Sequence, residues 1–452
     1  MTDTSPSSRT LERTLKLPGV VIIGVAWVTP LIALATIGII IQLSSGTAPT
    51  AYLITLLAMI FTAWSYGRMA SVHYQSAGSA YTYVGMEMGP RLGFLTGWLI
   101  LLDYFFIPLV VWLIGAAYLA EQFPAIPLGV WIIAFIVPTT LLNIIGIRVA
   151  AKANYLLVAF QLLVIVIFAV LSLAHFAGHD TGATLISPFF NQGTTFAALA
   201  TAAAVAAYSF IGFDGLTLLT EETHDPRRTI PRAMLIVVAF FGVLFVGVAW
   251  VAQLVHPGTD FANVDSAALE LARLVGGNLF VAVVLAGLII GQFACGLAIQ
   301  AGASRLLFTM GRDGVLPKSL SYLSPRHKTP VVGIVLIGLT GLVGLVMDVT
   351  TSASFINFGA FSAFILVNLS TIMHYRRHRP GQGVSAILGW VVLPLAGAIV
   401  NLYLLMSLDI DARIIGSLWL ALGVLWLAVL TRGFRQPPPR MQLEQADQPQ
   451  ES

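Results

Sequence analysis

The sequence predicts an all-α polytopic membrane protein of twelve transmembrane helices, with a 5+5 inverted-repeat core and discontinuous helices 1 and 6. Three observations carry this expectation. The composition is unsuited to water, apolar stretches of bilayer length recur twelve times, and helix breakers stand in comparable places in two stretches five apart.

The 452 residues are 58% hydrophobic and only 10% charged, against roughly 25% charged in soluble domains. A soluble fold of this make-up would leave large apolar patches in water, so its solvent is lipid. The net charge of +3 does not point to nucleic acid, because the basic residues lie between apolar spans rather than on one face. The single cysteine, Cys295, sits in an apolar segment and leaves no disulfide to form within the chain; it reads as a buried, inert thiol.

The spans follow in order. Residues 1–17 are a polar lead, and the apolar run after them lacks a small-residue cleavage site, so span 1 (18–43) is a retained helix and not a removable signal. Span 2 covers 50–67 and is followed by a short connection in which the spacing of Tyr74, Tyr81 and Tyr83 suits an amphipathic interfacial helix, flanked by His73 and Glu87 in a packing role. Span 3 (91–119) carries Asp103 about twelve residues in, roughly 18 Å from its start at 1.5 Å per residue. Spans 4 and 5 cover 128–146 and 152–174. Span 6 (196–220) holds Asp214 between Gly212 and Gly215 and ends in the cluster Glu221-Glu222-Thr223-His224-Asp225-Pro226-Arg227-Arg228. Span 7 covers 232–255; span 8, at 274–309, is too long for one crossing and either tilts or extends beyond the bilayer. Spans 9 to 12 cover 330–347, 352–375, 386–407 and 411–431, and the remainder, 432–452, is a polar tail too hydrophilic to pack. The transporter-like body is thus 18–431: spans 1–5 at 18–174, spans 6–10 at 196–375, and spans 11–12 at 386–431.

Orientation follows from the basic residues. With the amino terminus inside, 21 of the 23 Lys and Arg fall on the cytoplasmic side, leaving Arg273 and Arg413 outside. The positive-inside rule then puts both termini in the cytoplasm, in a cell (inner) membrane.

Backbone groups in hydrocarbon must be hydrogen-bonded, so an unwound stretch survives only inside protein or along a cavity. In span 1, Thr29-Pro30 precedes Ala35-Thr36-Ile37-Gly38; in span 6 the break runs through Tyr208, Ser209, Phe210, Gly212 and Asp214. Paired interruptions predict a small-solute site at the midplane. Asp214 is the acid to hold an ammonium group or carry a proton, with a helix N-cap as its structural alternative. Asp103 is a second possible proton or cation site, or else an interhelical anchor with Tyr104. Tyr208 and Phe210 flank the break as an aromatic gate. Glu221, Glu222, Arg227 and Arg228 stand at the cytoplasmic mouth as a gate of ion pairs, or as a solvated loop.

These residues resemble the amino acid–polyamine–organocation (APC) superfamily of permeases over about 18–431. The similarity rests on Tyr208 to Asp214 with Glu221-Glu222 and Pro226 to Ala233, on Ala303 to Phe308 with Gly311 to Pro317, and on Ala77 to Tyr83. Within the superfamily, Gly24 to Pro30, Leu101 to Phe105 and Ile356 to Ala360 resemble the bacterial putrescine importers. The resemblance implies a 5+5 core with two added helices, alternating access, and coupling to protons. The superfamily's small-residue triplet falls on Thr36-Ile37-Gly38, where bulky Ile37 narrows a carboxylate cradle and favours an amine or an unusual amino acid; the importers carry an acid where this chain has Ala35, which counts against a dication. A fifth-span lysine that stands in for sodium in some relatives corresponds to neutral Gln161.

No phosphate loop, HExxH helix, GxSxG elbow or dinucleotide fingerprint is present, and no Cys/His cluster suggests a metal. The expectation is a carrier, not an enzyme, without cofactor, importing a small amine or amino acid. Exchange of substrate for product is the alternative mechanism. A non-transporting receptor is the remoter one, since lead and tail are short for a signalling domain. The partners are the solute and the lipid bilayer; nucleic acid is not among them, and oligomeric state is unread.

Overall fold

The computed structural model describes residues 13, 15–74, 79–146, 151–191, 193–220, 222–312 and 314–439, with backbone alone for 151–154. Every element of the described residues is a helix, and their one β pairing is a parallel bridge between Leu15 and Thr223. Leu15 N–H donates to the Glu222 carbonyl at 2.9 Å, and His224 N–H donates to the Leu15 carbonyl at 2.8 Å. Residues 1–12 of the lead, 440–452 of the tail, Arg148, and Ala77-Gly78 of the loop motif lie outside the described residues.

Eleven helices among the described residues are long and apolar enough to cross a bilayer. They fall on eleven of the predicted spans. The ninth is shorter, an apolar run Val331–Leu345 made of an α-helix Val331–Thr340 that tightens into the 3-10 turn Gly341–Leu345. Its glycines let it press on span 3: a Cβ on Gly341 would come within 2.6 Å of the Trp112 ring. The excess length of span 8 also resolves locally. Ala267–Arg312 contains Gly277 at φ 64°, ψ −165°, so a short leading leg meets the crossing helix at a kink.

Local chemistry explains where the helices begin. Pro49, Pro90 and Pro226 open spans 2, 3 and 7, where a missing N–H costs nothing. Thr195, Asp348 and Asp409 cap spans 6, 10 and 12 by accepting backbone N–H bonds, each worth roughly 0.5–2 kcal/mol.

Outward faces are apolar and inward faces carry polar groups, the reverse of a soluble bundle. Leu156, Val243 and Leu279 are exposed, while Thr62, Ser65, Asn368 and Asn401 are buried. The buried amides bridge spans: Ser65 Oγ donates to Asn368 Oδ1 at 2.6 Å, and Asn401 Nδ2 donates to Thr62 Oγ1 at 2.8 Å. Small residues set the close approaches, as where span 10's Gly359 would bring a Cβ within 2.7 Å of the Leu99 carbonyl. The connection between spans 2 and 3 is a helix, Ala80–Met88, turned back by Gly89 at φ 103° into Pro90–Gln122. Its Tyr83 and Glu87 are buried against protein, so this helix packs into the bundle on that face instead of lying free at the interface.

Candidate functional site

Span 1 opens at Thr29. The helix Leu17–Val28 stops there, with Thr29 at φ 64°, ψ 99°, a conformation that is strained for a β-branched residue. Proline at the next position excludes the α region for its predecessor and offers no N–H of its own. The Leu31 N–H is satisfied sideways, by Gln161 Oε1 of span 5 at 3.3 Å. A cavity of about 10 Å³, room for one water, lies among Thr29, Ile32, Ala35, Gln161 and Gln292.

The opening is therefore six residues upstream of the stretch singled out in the sequence. Ala35 to Gly38 stays hydrogen-bonded: Thr36 N–H reaches Ile32 O at 3.0 Å and Ile40 N–H reaches Thr36 O at 3.2 Å. All four residues are buried. Tyr118 OH donates to the Ala35 carbonyl at 2.8 Å. A Cβ on Gly38 would stand 2.4 Å from both Ala267 Cβ and the Val264 carbonyl. Contrary to expectation, Ala35, Thr36, Ile37 and Gly38 form a tight contact with spans 3 and 8, with only a mild bend at Thr36 (φ −106°, ψ 6°).

Span 6 breaks where the glycines predict. The helix Phe196–Ala206 passes into a 3-10 turn Ala207–Phe210, then through extended Ile211 and Gly212 at φ 116°, into a second 3-10 segment Asp214–Thr220. The two breaks meet at Trp27. A Cβ on Gly212 would lie 3.3 Å from the Trp27 backbone, and one on Gly215 would lie 3.0 Å from its ring. Alanine at 212 must adopt a backbone that L residues rarely take, at a cost of ~1–3 kcal/mol. Gly212→Ala is expected to lower the thermal midpoint of the detergent-purified protein, while Gly247→Ala, whose Cβ would meet open space, leaves it unchanged.

Asp214 is half-buried, and its carboxylate lies against the backbone N–H groups of Gly212 and Gly215. It thus holds the turn around the break and still has an exposed edge. Asp103 of span 3 is buried, makes no hydrogen bond through Oδ1 among the described residues, and is within electrostatic reach of Asp214. Tyr66 of span 2 feels both acids, and its hydroxyl likewise makes no hydrogen bond among the described residues. Two carboxylates in an apolar interior repel, and a cation between them relieves that repulsion. Asp103 does not bond Tyr104; it abuts Gly359, where a Cβ would be 2.8 Å from its Oδ1.

The other predicted site residues separate. Ser209 Oγ stands 3.4 Å from Tyr52 OH, which also reaches Thr36, so spans 1, 2 and 6 share one hydroxyl. Tyr208 is buried near Cys295 of span 8. Phe210 is not a gate in this conformation. Its ring packs edge-on against Phe245 of span 7 at 5.1 Å, within an aromatic cluster.

At the charged mouth the described side chains are solvated, as in the loop alternative. Glu221 lies outside the described residues. Arg227 and Arg228 are exposed, and Arg228 pairs with Asp225 at 3.9 Å through side chains that are 75% and 59% exposed. Such a pair contributes at most ~1 kcal/mol. Glu222 offers its backbone carbonyl to Leu15, so main-chain bonds hold this loop among the described residues.

Gln161 bonding to span 1, Tyr118 on the Ala35 carbonyl, Tyr52 and Tyr66 are polar residues around the breaks whose contacts the sequence leaves hidden; a polar group inside an apolar span is their only local signal.

The amino acid permease family model matches residues 19–429. The chain is 35% identical over 436 residues to the low-affinity putrescine importer PlaP of Escherichia coli strain K12, covering 95% of this chain and 96% of that protein. It is 25% identical over 394 residues to the branched-chain amino acid permease BcaP of Bacillus subtilis strain 168, covering 82% and 83%. The methylthioribose transporter of the same organism is 25% identical over 448 residues, covering 94% and 93%.

Proposed function

The chain belongs to the amino acid permease family, and from that premise we propose that it imports a small cationic amine, of the class carried by its putrescine-importing relative, by proton-coupled alternating access. It is a multi-pass membrane transporter and not an enzyme. The observation that carries the reading is the meeting of two broken helices at Trp27, with Asp214 in one break and Asp103 within electrostatic reach. The opened backbone at 29–31 and 209–214 supplies carbonyls for the ammonium group, and the acids supply charge. A neutral amino acid is the alternative cargo, consistent with the permease relative.

In this reading Val331–Leu345 is a ninth crossing, giving twelve; spans 1–5 and 6–10 form the inverted repeat, and spans 11 and 12 are appended. Both termini face the cytoplasm, as the distribution of basic residues favours. Gln161, neutral and committed to the Leu31 N–H, supports assigning the coupling proton to the acids.

The test is uptake of radiolabelled putrescine and of branched-chain amino acids into proteoliposomes. Putrescine uptake that rises when the lumen is made alkaline supports the proposal. Counterflow that persists with the proton gradient collapsed, together with no net uptake in its presence, identifies an exchanger instead. Absence of amine competition against a transported neutral amino acid overturns the amine assignment.

A further inference from the structure

The sequence shows no metal-ligand spacing, yet the fold assembles one such group. His73 follows span 2, Glu87 lies on the helix Ala80–Met88, and His374 lies near the end of span 10 (Val349–His378). Glu87 Oε1 is 3.0 Å from His73 Nε2 and 2.7 Å from His374 Nδ1. The three ligand atoms all lie within 4.8 Å of one another.

We propose that His73, Glu87 and His374 form a binding site for a divalent transition-metal ion of the zinc class. Two imidazoles and a carboxylate are the donor set that such ions prefer, whereas magnesium and calcium favour oxygen alone. Ligand atoms around a tetrahedral zinc, at bond lengths of about 2.0–2.1 Å, stand roughly 3.3 Å apart, close to the spacings from Glu87 to each ring. A slight opening of the carboxylate and an inward turn of the rings complete the geometry. Each imidazole then binds as the neutral ring, with its proton on the other nitrogen.

A second observation points to a cation. Glu87 is 2% exposed, and its Oε2 makes no hydrogen bond within the described residues. A buried carboxylate oxygen without a partner is costly. Both imidazoles share its other oxygen; a divalent ion would place positive charge beside the carboxylate and can take both oxygens. The rings are held from behind, His374 by stacking on His378 at 4.4 Å and by a tilted contact with Trp390 at 5.4 Å, His73 by stacking on Tyr83 at 6.2 Å. His73 is 18% exposed at its side chain, which gives an ion a way in. An ion here would fasten the connection between spans 2 and 3 to span 10.

The test uses the full chain, purified in detergent without a polyhistidine tag and stripped with a chelator. Titration with cobalt(II) is expected to give the visible absorption of a low-symmetry N/O site at one equivalent, displaced by zinc(II). His73→Ala and Glu87→Gln are expected to weaken binding at least about tenfold. His378→Ala, which removes a stacking ring and no ligand, is expected to retain the bands. His73 is the partly exposed member, so its variant keeps the test usable should Glu87→Gln fail to fold. No stoichiometric cobalt spectrum in the wild type, or an unchanged spectrum in His73→Ala, overturns the site. The readout involves no transported solute, so it stands or falls apart from the transport assignment.

Discussion

Asp214→Asn is expected to reduce uptake of a cationic amine by about 10–100-fold while leaving the folded protein intact. The size follows from losing one charge-assisted hydrogen bond, worth ~1.5–3 kcal/mol. Asparagine keeps the shape of the side chain and an oxygen for the N–H groups of Gly212 and Gly215, so the turn survives. Two measurements check it together: initial uptake rates in proteoliposomes, and the thermal midpoint of the purified variant. Uptake equal to wild type across pH removes Asp214 from the mechanism. A collapsed midpoint would instead assign the acid to the turn alone.

Gly38→Ala is the second large effect, and it separates two meanings of one glycine. If Gly38 were part of an open cradle for substrate, alanine would reduce transport and spare stability. In the structure its added methyl collides at 2.4 Å with Ala267 Cβ and the Val264 carbonyl. One of those atoms is backbone and neither sits on a flexible chain, so the helices must separate. Overpacking of this kind costs about 1–3 kcal/mol, and the thermal midpoint is expected to fall clearly. Gly302→Ala, which meets open space in span 8, is the matched control and is expected to leave it unchanged. A Gly38→Ala protein of wild-type stability that no longer transports restores the cradle reading.

What the sequence reveals and what it hides divides by distance along the chain. The spans are legible because each is a continuous local signal of length and hydropathy. The break in span 6 is legible because Gly212 and Asp214 are themselves its cause. In span 1 the breaker was visible at Pro30, but the opening falls on Thr29 because proline constrains the residue before it. Residues 35–38 stay shut because Tyr118, some eighty positions away, takes the Ala35 carbonyl, and the start of span 8 seats against Gly38. Phe210 was assigned from its neighbours in sequence, whereas Phe245 decides its packing. His374 reaches Glu87 across 287 positions, a separation no spacing rule spans. Local breakers are written where they act; partners from other helices are not.

The bridge between Leu15 and Thr223 changes what the first residues are for. Both main-chain groups of Leu15 are committed to the segment that leaves span 6, one on Glu222 and one on His224. A truncation that deletes residue 15 strips that exit loop of its tether while touching no helix. Fusions meant to report on this carrier therefore belong on the polar tail, where a cargo of reporter cannot tug on that tether.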